Sequence, residues 1–371
     1  MKEFLKRVFR CLFYTFRIFK IEQNKIVFSS FNGKGYGESP KYICEELRKD
    51  NKYKLYWCVK KYDDSIPSDI HQIKMYTLIW AYNMATAKVW VSDSRMPIIV
   101  SKRKKQFYLQ TWHSSLRLKK IEKDDETHLP KEYIESAKCD SKMIDLMTCG
   151  SKYSYDTYRN SFWYDGPIKM TGTPKFDIYF KKNDDIIDKI YEKYNIPKTK
   201  KILLYAPTFR SFNPDFDGQI DFDRLEKEIR DNYVFMVRLH PESKNRKIKG
   251  TNVINVSEYP NLQDLLIASD LLITDYSGCC FDCLPTNKRC ILYVPDLDEF
   301  LQKERNLYFD YNELPFDVTY NIKELNSAIL NSNHYLEKYM KFQKNIGLYE
   351  NGKAAETIAD IIRKVILDEK I

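Results

Sequence analysis

Four groups of polar residues stand directly behind short apolar runs, where a strand would end. His113, with Ser114 and Ser115 behind it, follows QFYLQT and Trp112. Pro207, Thr208 and Arg210 follow KILLYA, Arg238 and His240 close YVFMVRLH, and Thr274, Asp275, Ser277 and Gly278 follow LLI. These types suit a phosphate. Arginine offers a planar fork of donors to phosphate oxygens. Histidine can donate to phosphate or take a proton near neutral pH. Hydroxyls and the free N–H groups of a helix start complete an anion cradle. Singly, each is weak evidence: a histidine can merely satisfy a hydrogen bond, and strand–turn–helix units need no ligand. Together they matter because the strand ends of a doubly wound sheet share one edge, where such sheets bind ligands.

The elements that would hold these residues alternate along the chain. Residues 271–294 read as strand, tight turn, helix and strand, with Asp275-Tyr276-Ser277-Gly278 as turn and cap. Buried strands are expected at 25–30, 54–59, 87–92, 106–111, 146–149 and 168–170, then at 201–206, 233–239 and 252–255. Helices are expected at 39–48, 75–85, 183–194, 222–230, 261–268, 321–331, 334–346 and 354–367. This alternation predicts parallel sheets covered on both faces. The fold class is α/β: two Rossmann-like domains, 21–195 and 196–371, facing across a cleft. The linker-like NIPKTKK marks the boundary, and the last helix is free to pack back on the first domain. Gly33, Gly35 and Gly37 are spaced GxGxG rather than GxGxxG, so they read as a flexible active-site loop and not a dinucleotide fingerprint.

The chain has 371 residues and a net charge of +9, much of it in residues 1–20, which carry six basic residues and one acid. The remainder is nearly balanced, which speaks against a nucleic-acid-binding face. Residues 1–20 are too charged to span a bilayer. At helical spacing Phe9 and Phe16 share an apolar face while Lys2, Lys6 and Arg10 gather opposite, the pattern of a helix lying on a membrane surface. The alternative is packing on the protein's own core. Nine cysteines without a secretion signal suggest reduced thiols. Cys279, Cys280, Cys283 and Cys290 read as small core residues, since no zinc-like spacing follows. Asp296-Leu297-Asp298 reads as a helix cap, and no metal ligand is expected. Lys119, Lys120 and Lys123 form a basic patch suited to an anionic substrate.

In order, QTWHSSLRLKKIEKD, TGTPKFD, YAPTFR, RLHP and ITDYSGCCFD, with ILYVPDLDEF behind, resemble the CDP-glycerol glycerophosphotransferase family of teichoic acid primases, polymerases and capsule-type relatives. The similarity runs from about Lys25 to about Tyr311. It implies a GT-B-like fold with the donor held mainly by the second domain. It also implies transfer of glycerol phosphate from CDP-glycerol to a hydroxyl of a lipid-linked acceptor, peripherally at the cytoplasmic membrane face, with no cofactor besides the donor. By motif, His113 would be the general base, Arg238 and His240 would hold the diphosphate, and Thr208, Arg210, Thr274, Asp275, Ser277 and Lys175 would stand around the donor, Asp275 orienting its neighbours. The sequence departs from the family pattern in three places. The loop Ser114-Ser115-Leu116-Arg117-Leu118 is one residue longer than the common form, Gly278 replaces a serine, and Lys175 replaces an arginine. The donor's alcohol is thus open between glycerol and ribitol. The chain length implies a short primase-like or capsule-type member. Two rivals stand beside this reading: a GT-B glycosyltransferase using a nucleotide sugar, and a non-catalytic adaptor anchored by residues 1–20.

Overall fold

The computed structural model describes residues 7–113, 116–210, 212, 220–240, 247–304, 306–331 and 335–369, and the backbone alone of residues 2–6. The chain divides into two compact units. The first holds Met1–Ser115, Glu122–Asp177 and Tyr349–Ile371, and the second holds Leu116–Ile121 and Ile178–Leu348.

The first unit runs α1 (Lys2–Thr15), β1 (Glu22–Ser29), α2 (Glu38–Arg48), β2 (Lys54–Val59), β3 (His71–Lys74), α3 (Leu78–Thr86), β4 (Ala87–Ser92), β5 (Phe107–Gln110), α4 (Lys131–Ser141), β6 (Leu146–Cys149), α5 (Lys152–Ser161) and β7 (Ile168–Met170). Among the described residues its sheet has the order β3-β2-β1-β4-β5-β6-β7, and every pairing is parallel. Val27 lies opposite Tyr56 on one side and Trp90 on the other. Strands covered on both faces must be apolar throughout. Ile26, Phe28, Trp57, Val89 and Val91 accordingly pack against Ile43 and Leu47 of α2. The same cluster includes Ile358 and Ile362 of the last helix.

The second unit runs α6 (Asp184–Lys193), β8 (Lys201–Tyr205), α7 (Lys227–Asn232), β9 (Tyr233–Val237), β10 (Val253–Asn255), α8 (Leu262–Ala268), β11 (Leu271–Thr274), α9 (Cys283–Thr286), β12 (Arg289–Tyr293), α10 (Leu297–Lys303), β13 (Asp317–Thr319), α11 (Ile322–Leu330) and α12 (Tyr335–Asn345); α13 (Ala354–Ile366) returns to the first unit. Its sheet, again parallel, has the order β10-β9-β8-β11-β12-β13 among the described residues. Leu203, Phe235, Ile273 and Ile291 pack there against Phe222, Ile229, Leu325 and Ile329.

The first unit ends at Asp177, so α6 lies in the second unit and not before the boundary expected near residue 195. The reason is packing: Tyr194, just past α6, lies 6.5 Å from the Tyr259 ring, and Lys193 sits 5.2 Å over that ring. The return of α13 is fixed by TGTPKFD. Asp177 accepts from Ala354 N (3.0 Å) and Ala355 N (2.7 Å), capping that helix. Thr173 donates to Glu350 through its amide (2.8 Å) and its hydroxyl (2.6 Å). The segment Leu116–Ile121 belongs to the second unit: Lys119 pairs antiparallel with Leu307, and Tyr308 N donates to Leu118 O at 2.7 Å. Lys119 of the expected basic patch lies 5.1 Å over Phe300.

The expected membrane face of residues 1–20 needs correction. Phe13 is fully buried. Phe9 lies 5.9 Å from Trp80, and Phe16 lies 5.9 Å from Tyr82. The phenylalanine face therefore packs on α3, whose sequence LIWAYNMAT is itself mostly apolar. Arg10, Val8, Leu12 and Ile18 stay exposed, while the Lys2 and Lys6 side chains lie outside the described residues. Among the described residues no helix is long and apolar enough to cross a membrane. Phe13→Ala is expected to cost about 3–5 kcal/mol in chemical denaturation; an unchanged midpoint would show that α1 does not dock.

Candidate functional site

In the first unit the site grows from the end of β5. Gln110 is buried and uses its amide fully: Nε2 donates to Tyr108 Oη (2.8 Å) and Ser94 O (3.0 Å), and Oε1 accepts from Trp112 N (2.9 Å). Trp112 has φ 53°, a left-handed backbone that is costly for a bulky residue and must be held in place by its surroundings. Its ring packs edge-on against Phe162 at 4.7 Å and lies 4.7 Å from the His113 ring. Behind it sits Arg95, 5.5 Å over Trp112 and 4.7 Å over Phe162. Arg95 is itself paired with Glu122 (2.7 Å) and Asp140 (3.0 Å). Burial opposes its charge, but the two carboxylates outweigh that and hold its pKa above the usual value.

His113 is exposed, with Nδ1 3.2 Å from the main-chain oxygen of Asp93. A proton on Nδ1 donates to that carbonyl and leaves Nε2 as an acceptor. Asp93 stands just past β4 and is fully buried. Its carboxylate accepts from Ser30 Oγ (2.6 Å), Phe31 N (3.0 Å) and Ser94 Oγ. Burial pushes its pKa up to about 6, with the Glu38 charge adding to the rise and the hydrogen bonds opposing it. Asp93 was not singled out from sequence, although the strand-end rule that selected His113 applies equally to the residue after AKVWVS. Lys175 is buried and pairs with Glu38 at 3.1 Å within the first unit. Gly33 takes φ +76° and accepts from Lys60 N at 2.7 Å, pinning the glycine loop to the end of β2. A cavity of about 240 Å³ there is lined by Gly33, Lys34, Gly35, Lys60, Lys61 and Asp63, among others. Ser114 and Ser115 lie outside the described residues.

In the second unit the strand-end residues separate into scaffold and open groups. Arg210 is buried between two acids. Its Nε and Nη2 donate to Asp296 (2.9 and 3.1 Å), and its Nη1 donates to Asp275 and to Thr208 O (each 2.5 Å). Burial opposes that charge too, yet Asp275 and Asp296 hold the pKa above its ordinary value. Tyr276 donates to Asp296 at 2.8 Å and stacks on Phe300 at 3.6 Å, with Arg210 over its ring at 4.6 Å. Asp275 further accepts from Thr208 N at 2.9 Å. Thr274 is buried and donates to Ala206 O at 2.7 Å. Arg210 and Thr274 thus join strand ends to one another, and Asp275 bonds the Thr208 amide and the Arg210 guanidinium. The reason the sequence hid this is that Asp296 lies on a distant loop.

The open groups are fewer. Arg238 is half-buried and donates to Tyr259 O, and among the described residues it pairs with no carboxylate. Burial holds its pKa below the usual arginine value. His240 is exposed and stacks on Phe209 at 6.0 Å. Thr208 Oγ1 is buried and, among the described residues, has no hydrogen-bond partner; Pro207 beside it is half-buried. Ser277 caps the 3-10 helix Gly278–Asp282, which precedes α9 and takes the place of the α-helix start expected at Cys279. Cys279 follows in that turn, where burial pushes its thiol up to about 12. A larger cavity of about 940 Å³, lined by Tyr311, Asp317, Lys338 and Phe342 among others, includes none of these groups.

The profile of one family, CDP-Glycerol:Poly(glycerophosphate) glycerophosphotransferase, matches residues 11–364. The teichoic acid poly(glycerol phosphate) polymerase of Staphylococcus epidermidis is 32% identical over 94% of this chain and 52% of its own length. The chain thus spans about half the length of that curated relative. A solved structure of the wall teichoic acid polymerase TagF, a variant with CDPG, has a TM-score of 0.89 at 30% identity, covering 98% of this chain and 94% of that one. WaaG, a glycosyltransferase involved in lipopolysaccharide biosynthesis, has a TM-score of 0.50 at 13% identity over 91% of this chain and 99% of that one, a likeness of fold alone. The fold is GT-B-like, two parallel α/β sheets flanked by helices.

Arg210→Ala leaves Asp275 and Asp296 buried without their cation. It is expected to destabilise the protein by about 3–5 kcal/mol, measured by denaturant unfolding. A stability change under about 0.5 kcal/mol, the range of a surface substitution, would return Arg210 to the open groups.

Proposed function

The chain belongs to the CDP-glycerol:poly(glycerophosphate) glycerophosphotransferase family, and we propose that it transfers glycerol phosphate from CDP-glycerol to a hydroxyl of a lipid-linked precursor of a cell-surface polymer. The acceptor oxygen attacks the phosphorus that carries the glycerol. The bond from that phosphorus to the CMP oxygen breaks, a new phosphodiester forms, and CMP leaves. His113 takes the acceptor's proton through Nε2. Arg238 and His240 hold the diphosphate and offset the charge that builds on departing CMP. The Thr208 hydroxyl and the turn at Ser277 and Gly278 complete the donor contacts, and Ser114 and Ser115, next to His113 in the sequence, are assigned to the glycerol phosphate. Lys175, Arg210, Thr274 and Asp275 support these groups from behind. The acceptor places the reaction at the cytoplasmic membrane face, with Arg10 and the exposed Val8, Leu12 and Ile18 toward the lipid. The polymer is a teichoic acid or a capsule-type relative of it.

The observation that carries this reading is the His113 ring at the end of β5, whose Nδ1 lies 3.2 Å from the Asp93 carbonyl oxygen, so that a proton on Nδ1 makes Nε2 the basic nitrogen. Arg238 supports the donor side, because a half-buried arginine with no carboxylate among the described residues is suited to a ligand's anion. The longer loop behind His113 bears on the donor's alcohol, so CDP-ribitol belongs in every assay beside CDP-glycerol.

His113→Ala is expected to lower turnover about 10²-fold or more, read as CMP released with acceptor present, while CDP-glycerol still binds. Near-normal turnover removes His113 from the role of base. Arg238→Ala is expected to weaken CDP-glycerol binding by about 10- to 100-fold, the loss of a charge-assisted hydrogen bond worth roughly 1.5–3 kcal/mol. Calorimetry checks this, and an unaltered affinity would contradict the diphosphate contact.

A further inference from the structure

His113 sits on an exposed turn, and an exposed imidazole rotates unless something fixes it. One fixed point is Asp93, whose main-chain oxygen lies 3.2 Å from Nδ1. The same residue carries a buried carboxylate that the proposed reaction does not use. We propose that Asp93 is the positioning residue for His113: its carbonyl fixes the protonated ring nitrogen, and its ionised carboxylate holds that carbonyl in place. This inference rests on the reading of His113 as the base.

The geometry ties the carboxylate to the turn that carries the carbonyl. It gathers donors from two strand ends: Ser30 Oγ at 2.6 Å and Phe31 N at 3.0 Å behind β1, and Ser94 Oγ behind β4. Ser94 Oγ in turn accepts from Asn32 N at 3.2 Å, and Asp93 N donates to Ser29 O at 3.4 Å. Phe31 and Asn32 have φ 48° and 54°, so two consecutive left-handed residues are held by acceptors on the Asp93–Ser94 turn. An ionised carboxylate accepts at every lone pair, whereas a protonated one must donate once. Protonation therefore loosens the turn that carries the carbonyl. The charged neighbours are Glu38 on α2, itself paired with Lys175 behind β7, and the titratable His113 behind β5; the partners from β1 are neutral.

The pH dependence has a definite sign. Burial raises the Asp93 pKa from 3.8 to about 6 in the folded protein. The protonated form is thus favoured by the fold, and the associated stability is present below about pH 4 and lost as pH rises through 6. Function runs the other way, because the ionised form holds the turn. Protonation of Asp93 therefore adds one proton to the acid limb of turnover.

The test uses Asp93→Asn, Ser30→Ala and the wild type, each read four ways: CMP release from pH 5 to 9, calorimetric affinity for CDP-glycerol, melting temperature against pH, and the nitrogen shifts of His113 by NMR. For Asp93→Asn, turnover is expected to fall about tenfold or more with donor affinity unchanged. Its acid limb is expected to lose one proton. Its melting temperature is expected to gain on the wild type as pH rises from 4 to 7. The His113 ring is expected to pass from one tautomer, protonated at Nδ1, to a mixture. Ser30→Ala is expected to move each property the same way by less. Wild-type turnover and pH profile in Asp93→Asn would overturn the proposal. An unchanged His113 tautomer would overturn it even if the wild type released no CMP, the outcome that would instead reject the proposed activity. Equal losses of donor affinity and stability would reduce Asp93 to a packing residue.

Discussion

A buried guanidinium must be paired, and each unit of this protein is organised around one that is. In the first, Arg95 lies between Glu122 and Asp140. In the second, Arg210 lies between Asp275 and Asp296. Desolvating a charge costs several kcal/mol, and only good geometry on both sides returns that. The consequence is rigidity where the strands end. Arg95 backs the Trp112 and Phe162 rings, and so sets the turn from which His113 projects. Arg210 ties the ends of β8 and β11 to the loop before α10, and so sets the turn of Ser277 and Gly278. His113 and Ser277 stand just beyond these clamps.

This arrangement separates two kinds of cation that look alike in sequence. Arg210 and Arg238 both stand at strand ends, and both read as phosphate ligands. Arg210 has its carboxylates inside the fold; Arg238 has only a main-chain oxygen among the described residues. Lys175 goes with Arg210, since Glu38 takes its charge. The partners come from elsewhere in the chain, Asp296 from behind β12 and Glu38 from the start of α2, and no local pattern announces them. Strand-end position was enough to find the edge but not to say which groups there are already used.

The elements themselves were largely legible. Runs such as KIVFSS, KLYWCV and LLIT can only be strands covered on both faces, and they became β1, β2 and β11. The edge strands β3 and β13 were missed because HQIK and DVT are short and mixed in polarity. The helices α4 and α5 were missed because KEYIESAKCDS and KYSYDTYRNS are dominated by polar residues. The amphipathic pattern of α1 was read correctly as a pattern, but a face of phenylalanines does not say whether lipid or α3 covers it. Here the apolar surface of α3 does, through Trp80 and Tyr82. The motif TGTPKFD combines both lessons. Its Asp177 caps α13 and its Thr173 holds Glu350, so a segment that resembles a family's functional signature also closes the first unit.

The central claim is that the open groups of the second unit receive a cytidine diphosphate carrying glycerol. A calorimetric titration of the purified chain with CDP-glycerol, CDP-ribitol, CDP and UDP-sugars tests it most directly. The account predicts saturable binding with CDP-glycerol tightest. Tightest binding of CDP-ribitol would keep the reaction and change the polymer. Preference for a UDP-sugar, or no nucleotide binding at all, would contradict the account.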